Sequence, residues 1–542
     1  PNPSPRAGEG LSTQEPGLKS LLPFWEKGFR EEGQSFVSQS ALTHLLLPLK
    51  PMTLQIYNTL TRQKQAFEPL EPGTAKIYCC GVTVYDYCHL GHARCYMVWD
   101  TVRRYLMWAG YQVRYVQNFT DIDDKILKRA VNEGRSMEAV AEQFTQAYFE
   151  DMARLNVLEA DEYPRATHTI DGIQRLIHEL EQKDVAYAAG GDVYYAVTAF
   201  CDYGKLSGRK LEDMKAGASG RVDNSPEVSL KRDPFDFALW KGAKDGEPYW
   251  ESPWGKGRPG WHIECSAMVR DRLGDSIDIH MGGGDLTFPH HENEIAQSEA
   301  ATGKPLATIW MHNGMVNVDG TKMSKSLGNF TTIRQLLDEG NIEPMVLRMF
   351  VLQAQYRKPV DFTAEAIASA QNGWETLNDG LTFGFNHGAT LGWPEADEPN
   401  LADPTTLAID RDQEAVLTFC TAMDDDFNTP GAIAVLFDLA KDLRKVGNIL
   451  THGGQVEMAA NLLRQKWQTL VVLASVLGLK PVFAEDDENN LSDAEIEALI
   501  QQRLAAKAAK NYAESDRIRD ELKAQGIILV DKPGGVTEWH HG

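Results

Sequence analysis

The sequence has no apolar run long enough to cross a membrane as a helix. Such a helix needs about 20 consecutive apolar residues, whereas a candidate run around residues 45–49 is interrupted by Pro48 and flanked by polar residues. The first 51 residues also lack a basic start followed by an uninterrupted apolar segment, so they do not resemble a secretory signal. We therefore expect a soluble, cytoplasmic protein that does not bind a membrane.

The same 51 residues lack any sustained periodicity of the kind that predicts a helix or a strand. They contain five glutamates, and this acidity disfavours an organellar transit peptide. Strand-like residues, Leu54, Ile56 and Tyr57, follow Met52 immediately. We therefore expect the folded protein to begin at Met52 and residues 1–51 to form a disordered leader.

Basic residues are scarce relative to acidic ones. The chain contains 54 lysines and arginines against 77 aspartates and glutamates, which gives a formal net charge of −23. This charge excludes a protein that coats nucleic acid without selectivity, because its field repels phosphate. It is compatible with a protein that binds one RNA through a local basic face.

The cysteines do not form the even set expected of a disulfide framework. There are seven, and four of them lie in one short stretch, Cys79, Cys80, Cys88 and Cys95. In an intracellular chain such crowding predicts metal ligands or reactive thiols rather than disulfides.

The first part of the chain after the leader predicts a β-α-β unit. Residues 76–80 form a short apolar run, residues 91–109 have helical spacing, and residues 113–116 form a second strand-like run. This order predicts parallel strands joined by a right-handed crossover. Sheets of this kind bind nucleotides at the carboxyl ends of their strands.

The rest of the chain predicts further domains, as expected for 542 residues. Strand-like runs return at residues 276–280 and 309–311, and after Phe330 apolar residues recur at helical spacing. We predict an α/β Rossmann-type parallel-sheet catalytic domain with an insertion, followed by an all-α helical bundle and a small C-terminal α+β module. The expected boundaries are 52–165 and 260–330 for the two halves of the sheet domain, 166–259 for the insertion, 331–375 for a helical junction, 376–480 for the bundle and 481–542 for the last module.

A first motif, His89-Leu90-Gly91-His92, lies between the first predicted strand and helix. Two imidazoles one turn apart, beside backbone N–H groups at a helix N-terminus, can hold a polyphosphate and stabilise charge when its α-phosphorus is attacked. Taken alone, the four residues fit a solvated or core histidine pair equally well. The strand-loop-helix setting favours the nucleotide-binding interpretation.

A second motif, Lys322-Met323-Ser324-Lys325-Ser326, follows a predicted turn at Asp319-Gly320. Two lysines three residues apart on a loop can close over a leaving pyrophosphate in the transition state. A solvated loop is the alternative, because lysine and serine are common in loops. An HxGH motif followed about 230 positions later by KMSKS is not expected by chance. We therefore assign catalytic roles to His89, His92, Lys322 and Lys325.

A third constellation contains candidate metal ligands. His290 and Glu294 lie four residues apart just after Pro289, so both project from one face at a helix start. Cys80 at a strand end and Cys265 can complete a tetrahedral zinc site with them. Spacing alone does not prove such a site, because the two cysteines are 185 positions apart (265 − 80).

Helical spacing does not choose between two adjacent histidines as the third ligand. Glu294 lies within one turn of both His290 and His291. A metalloprotease is excluded, because Ile295 stands where an HExxH motif beginning at His291 requires histidine.

As an ordered set, the motifs are similar to the signatures of the cysteinyl-tRNA synthetases. The similarity extends from about residue 52 to residue 539, and the set is highly specific. The matching segments are YCCGVTVYD at residues 78–86, HLGH at 89–92, TDIDDK at 120–125, GWHIECSAM at 260–268, FPHHENE at 288–294 and KMSKS at 322–326. One departure is Met281, because in the family glycine more often follows the preceding histidine.

The resemblance implies a monomeric class I aminoacyl-tRNA synthetase that ligates L-cysteine to tRNA(Cys) through a cysteinyl-adenylate. One zinc ion per chain would recognise the substrate thiolate, and Mg²⁺ would accompany ATP. The implied zinc ligands are Cys80, Cys265, His290 and Glu294, which selects His290 over His291. The implied ATP contacts are His89, His92, Gly283, Asp285 and Lys325. The implied substrate contacts are Gly81, Thr120, Trp261 and His280.

The C-terminal third resembles the tRNA-binding part of the same family. The run MDDDFNTP at residues 423–430 is similar to the start of the anticodon-binding bundle. The basic residues of the last module, which would contact tRNA or else pair with neighbouring carboxylates, are Arg503, Lys507, Lys510, Arg517, Arg519 and Lys523.

Three alternatives remain open at this point. A cysteine–amino-sugar ligase of the mycothiol type shares the catalytic half but is shorter at its C-terminus. A catalytically silent paralogue would bind tRNA or sense cysteine, although the intact HLGH and KMSKS motifs count against it. In the third alternative the zinc ion would be purely structural, because sites of cysteine, histidine and glutamate often serve only to stabilise a fold.

Overall fold

The computed structural model of the protein describes residues 53–211, 230–323, 329–393, 409–483, 493–524, 527–532 and 536–541. The expected leader at residues 1–51 lies outside the described residues, as does Lys325 of the KMSKS motif. None of the helices in the described ranges has the length and apolarity of a membrane-spanning segment.

The first elements are a strand hairpin and the predicted β-α-β unit. The hairpin strands pair antiparallel, whereas the two strands flanking the first helix are parallel. Two further helices, which the sequence patterns did not identify, follow before the insertion. In chain order the elements are β1 (Gln55–Asn58), β2 (Gln63–Ala66), β3 (Thr74–Cys79), α1 (Leu90–Trp108), β4 (Gln112–Gln117), α2 (Asp124–Glu133) and α3 (Met137–Arg154).

The insertion contains its own antiparallel sheet, with the strand order β5-β6-β7-β8. Its helix α4 buries Ile173, Ile177 and Leu180 in a core shared with that sheet. The last helix of this part, α5, leads back to the parallel sheet. The elements are α4 (Ile170–Gln182), β5 (Ala186–Ala189), β6 (Asp192–Tyr195), β7 (Phe237–Gly242), β8 (Gly257–Pro259) and α5 (Trp261–Leu273).

The central sheet has the strand order β10-β9-β3-β4, and all three neighbouring pairs are parallel. A smaller sheet follows, in which β11 pairs antiparallel with β12 and parallel with β13. These elements are β9 (Ile277–Gly283), α6 (Glu292–Thr302), β10 (Ala307–Asn313), β11 (Val316–Val318), β12 (Thr321–Lys322), α7 (Pro344–Leu352) and β13 (Val360–Phe362). The predicted parallel-sheet fold with an insertion is confirmed.

Four helices form the predicted bundle, and they pack closely where small residues allow it. Gly384 faces the ring of Trp467, and a Cβ at that glycine would lie only 2.3 Å from the ring. Trp467 is buried, and its Nε1 donates to the carbonyl of Leu381 at 2.8 Å. The helices are α8 (Ala364–His387), α9 (Glu414–Asp424), α10 (Thr429–Thr451) and α11 (Ala460–Val476).

A buried arginine connects the bundle with the sheet domain. Arg348 of α7 forms an ion pair with Asp100 of α1. Its guanidinium also donates to the carbonyl of Leu477 at 2.8 Å and to the carbonyl of Leu155 at 3.0 Å. Because a buried charge is stable only when it is paired and hydrogen-bonded, this arrangement fixes α7 and α1 against the C-terminal ends of α3 and α11.

The C-terminal module consists of two helices and a strand hairpin. Ile496, Ile500, Ile518 and Leu522 form its small core together with Ile527. The second strand of the hairpin was not predicted from the sequence. The elements are α12 (Asp493–Ala508), α13 (Tyr512–Ala524), β14 (Ile527–Lys532) and β15 (Val536–His541).

Candidate active site and metal centre

Four side chains from three parts of the fold meet in one buried cluster. Cys80 follows β3, Cys265 lies in α5, His290 lies in the helical turn before α6, and Glu294 lies in the first turn of α6. Their potential ligand atoms all lie within 4.8 Å of one another. Cys80 Sγ is 3.9 Å from Cys265 Sγ and 3.3 Å from Glu294 Oε1, which is 3.1 Å from His290 Nε2. Two thiols, an imidazole and a carboxylate are a donor set that suits tetrahedral zinc.

The sheet topology explains how distant residues reach this cluster. Cys80 leaves the carboxyl end of β3, and its backbone N–H donates to the carbonyl of Met281 in β9 at 3.1 Å. This contact holds the strand end next to the strand that leads to His290 and Glu294. Met281, the residue that departs from the family pattern, is itself fully buried in β9. The substitution therefore leaves the strand pairing intact.

Two of the four candidate ligands, Cys265 and Glu294, are held in their ionised forms. A hydrogen bond from Cys80 lowers the pKa of Cys265 to about 6, even though burial opposes the thiolate. Burial also opposes ionisation of Glu294, but His280 and His290 hold its pKa well below the usual range. A thiolate and a carboxylate are the forms that bind metal. Burial raises the pKa of Cys80, and, against the effect of burial, the charges of Glu294 and Cys265 raise the pKa of His290 to about 10, so both would release a proton on binding zinc. With that release the four residues fit a zinc ion.

A second histidine lies close enough to offer an alternative set of ligands. Cys80 and Glu294 also group with His280 and His291. The His291 Nε2 atom is 4.0 Å from Glu294 Oε1, which is longer than the 3.1 Å of His290. His291 Nδ1 is instead 2.7 Å from His312 Nε2. The geometry therefore brings both histidines to the site but favours His290 as a ligand.

The HLGH motif forms the N-terminus of α1. The Nδ1 atom of His89 accepts from the backbone N–H of His92 at 3.3 Å, and the His92 ring accepts from the backbone N–H of His89 at the same distance. The two rings are stacked with centroids 3.6 Å apart. This reciprocal cap places both imidazoles beside the N–H groups at the positive end of the helix dipole.

The segment after KMSKS pairs with the HLGH loop. Leu90 donates its backbone N–H to the carbonyl of Thr331 at 3.2 Å, and Ile333 donates to Cys88 at 2.9 Å. A Cβ on Gly91 would lie 3.5 Å from the side chain of Met323. The structure therefore places Met323 and the segment from Thr331 beside the HLGH loop, with the exposed Lys322 at the end of β12.

The expected substrate contacts lie around the four candidate metal ligands. The ring of Trp261 is 4.3 Å from that of His290, and His280 Nε2 is 2.9 Å from Glu294 Oε2. Gly81 must lack a side chain, since a Cβ there would lie 1.6 Å from a backbone oxygen. Thr120 lies beside the segment that follows Cys80 and forms an isolated bridge with Thr83. The expected adenosine contacts, Gly283 and Asp285, lie at the carboxyl end of β9.

Several buried polar residues at the site were not identified from the sequence. Glu264 is 1 % exposed and accepts a hydrogen bond from Thr120 Oγ1 at 3.1 Å. Asn118 Oδ1 accepts from the backbone N–H of Gly81 at 2.8 Å. His312 Nδ1 lies 2.8 Å from Thr59 Oγ1. Glu264 could have been identified from the sequence, because it lies within the WHIEC run of a family motif. Asn118 and His312 lie in no such motif, and only the packing shows their roles.

Family profiles match both halves of the chain. Residues 66–372 match the profile described as "tRNA synthetases class I (C) catalytic domain", and residues 418–480 match the "DALR domain". These matches, together with the parallel sheet and the helical region, define a class I aminoacyl-tRNA synthetase.

Sequence similarity to individual enzymes identifies the family within this class. The chain is 67% identical over 490 residues to the cysteine–tRNA ligase of Synechococcus elongatus, covering 90% of this chain and 99% of that protein. It is 66% identical over 493 residues to the cysteine–tRNA ligase of Trichodesmium erythraeum, covering 90% of this chain and 100% of that protein. The chain therefore belongs to the cysteine–tRNA ligase family, as its motifs predicted.

Solved structures share the fold at low sequence identity. A Mycobacterium tuberculosis methionyl-tRNA synthetase in complex with methionyl-adenylate has a TM-score of 0.50 and 17% identity, covering 74% of this chain and 89% of that chain. The LeuRS of Agrobacterium radiobacter K84, solved with tRNA and LeuAMS, has a TM-score of 0.51 and 12% identity, covering 76% and 85%.

Proposed function

We propose that this enzyme ligates L-cysteine to tRNA(Cys) in two steps, first forming a cysteinyl-adenylate from ATP. The observation that carries the proposal is the buried cluster of Cys80, Cys265, His290 and Glu294, which lies in the same fold as the HLGH helix. Membership of the cysteine–tRNA ligase family supports it. We further propose that the protein acts as a cytoplasmic monomer.

Zinc held by those four residues would supply a binding position for the thiolate of the substrate. The hydroxyl of serine is a much poorer zinc ligand than a thiolate, and alanine offers no ligand atom. A site built around that bond rejects serine by leaving its own polar groups unsatisfied, so it does not need a hydrolytic editing site. In this proposal the metal recognises the side chain.

The remaining residues position the substrates and stabilise charge. Gly81 lets the chain beside the cluster pack against the backbone of Asn118, while Thr120, Trp261 and His280 would enclose the amino acid. The substrate carboxylate then attacks the α-phosphate of Mg-ATP. Catalysis of this step is mainly positioning and electrostatic stabilisation.

The charge that develops on the phosphates is met by two groups of residues. His89 and His92 lie beside the N–H groups of α1, and Lys322 with Lys325 would hold the departing pyrophosphate. The terminal ribose hydroxyl of the tRNA then attacks the carbonyl of the adenylate, which forms the cysteinyl ester and releases AMP. Gly283 and Asp285 would contact the adenosine.

Two features favour tRNA over an amino sugar as the acceptor. The DALR domain matches residues 418–480, and the chain covers 99% of a cysteine–tRNA ligase of similar length. A small-amine ligase has no need of such a C-terminal half. A silent paralogue is disfavoured because both catalytic motifs are intact.

An ATP–pyrophosphate exchange assay tests the proposal directly. Exchange should depend on cysteine and should be very slow with serine even at high concentration, because serine lacks the thiolate. The purified enzyme should then transfer the cysteinyl group to tRNA and not to an amino sugar. Exchange with serine at a rate near that of cysteine, or an inactive wild-type enzyme, would refute the proposal.

A further inference from the structure

Asp426 is a buried carboxylate in the turn between α9 and α10, and it is 1 % exposed. Its Oδ1 atom accepts from the backbone N–H of Tyr57 at 2.9 Å and from the hydroxyl of Tyr356 at 2.8 Å. Its Oδ2 atom accepts from Gln355 Nε2 at 3.1 Å and from Arg357 Nε at 2.8 Å. One side chain of the bundle therefore connects β1 with residues 355–357.

The backbone of this turn is held in an uncommon conformation. Asp426 and Phe427 have φ values of 61° and 51°, the left-handed region that favours glycine. The backbone N–H of Asp426 donates to the carbonyl of Gln55 at 2.8 Å, and Phe427 is buried. A bulky residue keeps such a conformation only where its surroundings determine it, so the carboxylate is fixed in place.

The residues that bind Asp426 lead directly to the strand hairpin that carries Lys322. Residues 355–358 precede β13, which pairs in parallel with β11. After β11 the chain turns at Asp319–Gly320 into β12 and Lys322. The carboxylate of Asp361 in β13 accepts the backbone N–H of Gly320 at 2.9 Å, which fixes this turn.

The same residues are also bound by the helix that begins with HLGH. Arg94, two positions after His92, is fully buried. Its guanidinium donates to the carbonyl of Met315 at 2.7 Å, to that of Tyr356 at 3.1 Å and to that of Lys358. Residues 355–358 are therefore the joint at which the HLGH helix, the Lys322 hairpin and the bundle meet.

From this geometry we infer that Asp426 is a positioning residue for the adenylation step. It fixes residues 355–358 and thereby sets the Lys322 hairpin relative to His89 and His92. A shift of the helical bundle would therefore move the residues that hold the phosphates of ATP. The inference rests on the proposed function, because it assumes that these motifs bind ATP. A displacement of about 1 Å at a catalytic group can cost about 100-fold in rate.

The isosteric substitution Asp426→Asn tests the inference. An amide cannot accept on both of its ends, so at least one set of donors loses its partner. In cysteine-dependent pyrophosphate exchange we expect kcat per active site to fall about 10- to 100-fold and KM for ATP to rise. KM for cysteine should stay within twofold, because the four candidate zinc ligands are positioned by elements that Asp426 does not contact. The concentration of active sites, by which the exchange rate is divided, is measured separately from the burst of adenylate formation.

The neighbouring Asp425→Asn is the matched control. Asp425 pairs with Lys64 at the surface, where their side chains are 60% and 40% exposed, so its loss should leave both KM values and kcat unchanged. Arg357→Lys is a milder variant, since Arg357 is 30% exposed and a lysine keeps the charge but not the fork of donors. It should show the same selective rise in KM for ATP at smaller magnitude, even if Asp426→Asn does not fold.

The inference is overturned if the variants only reduce the fraction of active enzyme while kcat per site and both KM values remain those of the wild type. It is equally overturned if KM for cysteine rises as much as KM for ATP. Failure of the proposed function would appear differently, because the wild-type enzyme itself would then show no cysteine-dependent exchange.

Discussion

At the scale of single residues, the metal cluster shows how far spacing in a sequence can predict a site. The four proposed ligands were identified as a group, and the structure brings their ligand atoms within 4.8 Å of one another. Spacing did not separate His290 from His291, because both lie within one turn of Glu294. The structure brings both rings near that carboxylate, at 3.1 Å and 4.0 Å. The difference depends on side-chain direction, which only the packing of α6 determines.

Cys265→Ala should remove zinc, because the thiolate that its neighbours stabilise is lost from the donor set. Metal analysis should find about one zinc per chain in the wild type and nearly none in the variant. Binding of cysteine should weaken sharply, whereas binding of ATP should change little. Cys201→Ala is the control, because Cys201 is exposed and belongs to neither metal-ligand group. Full zinc occupancy in Cys265→Ala would disprove the assignment.

His312 makes the stability of the folded protein depend on pH. Burial, followed by the charge of His280, lowers the pKa of His312 to about 3, against about 6.5 in an unfolded chain. Between these two values the unfolded state binds more protons, so stability is present above pH 6.5 and is lost as the pH falls. Linkage gives about 2 kcal/mol lost at pH 5 relative to neutral pH.

Denaturant unfolding between pH 7 and pH 5 should therefore show a smaller decrease for His312→Gln than for the wild type. Glutamine can bond to Thr59 and His291 but does not titrate in this range. His168→Gln is the control, since His168 is exposed. Equal pH dependence in wild type and His312→Gln would show that other groups cause the acid destabilisation.

At the scale of helices and strands, long periodic segments were predicted well. The helical spacing expected after Phe330 corresponds to helices in the structure, such as α7, and the β-α-β unit was correct within two residues. The helices α2 and α3 were not predicted, although both begin with capping side chains, Asp123 and Ser136. The strands of the insertion were too short to predict, because their stability comes from partners distant in sequence.

The contact of α8 with α11 should be sensitive to one methyl group. Alanine favours helix by about 1 kcal/mol over glycine, but at Gly384 its Cβ would collide with the rigid ring of Trp467. Overpacking of this kind costs about 1–3 kcal/mol. We expect Gly384→Ala to lower the free energy of unfolding, measured by denaturant titration.

Gly373→Ala in the same helix is the matched control for that prediction. A Cβ at Gly373 would meet the tips of three side chains, Phe437, Gln353 and Met349, at 3.2–3.3 Å, so only small side-chain shifts are needed. This variant should be neutral or slightly more stable than the wild type. A free energy of unfolding that is higher in Gly384→Ala than in the wild type would contradict the prediction, because it would show that α8 and α11 can move apart without loss of stability.

At the scale of the whole molecule, the predicted order of a sheet domain, a helical bundle and a small final module matches the order of the folded elements. The role of the final module remains a prediction. Arg517 and Arg519 form ion pairs with neighbouring carboxylates, such as Glu514 and Asp516, which reduces the charge available for RNA. Lys523 has no ion pair with any of the described residues.

Truncation after Lys480 should separate the two steps of the reaction. The module has its own apolar core, so its removal should leave cysteine-dependent pyrophosphate exchange unchanged. Charging of tRNA should weaken about tenfold or more at physiological salt, with a shallower salt dependence than in the full chain, because phosphate contacts release counterions. Charging as efficient as that of the full chain would show that the module does not bind RNA.

The metal cluster also has a consequence for how the chain is made. Its ligands span 214 positions, from Cys80 to Glu294, and the whole insertion lies between them. A ribosome adds roughly 5–20 residues per second, so Cys80 would emerge about 10–40 s before its carboxylate partner has been synthesised. Until Glu294 has emerged, the thiol therefore has no complete site to enter. Metal can bind this cluster only after both halves of the sheet have been joined across the insertion.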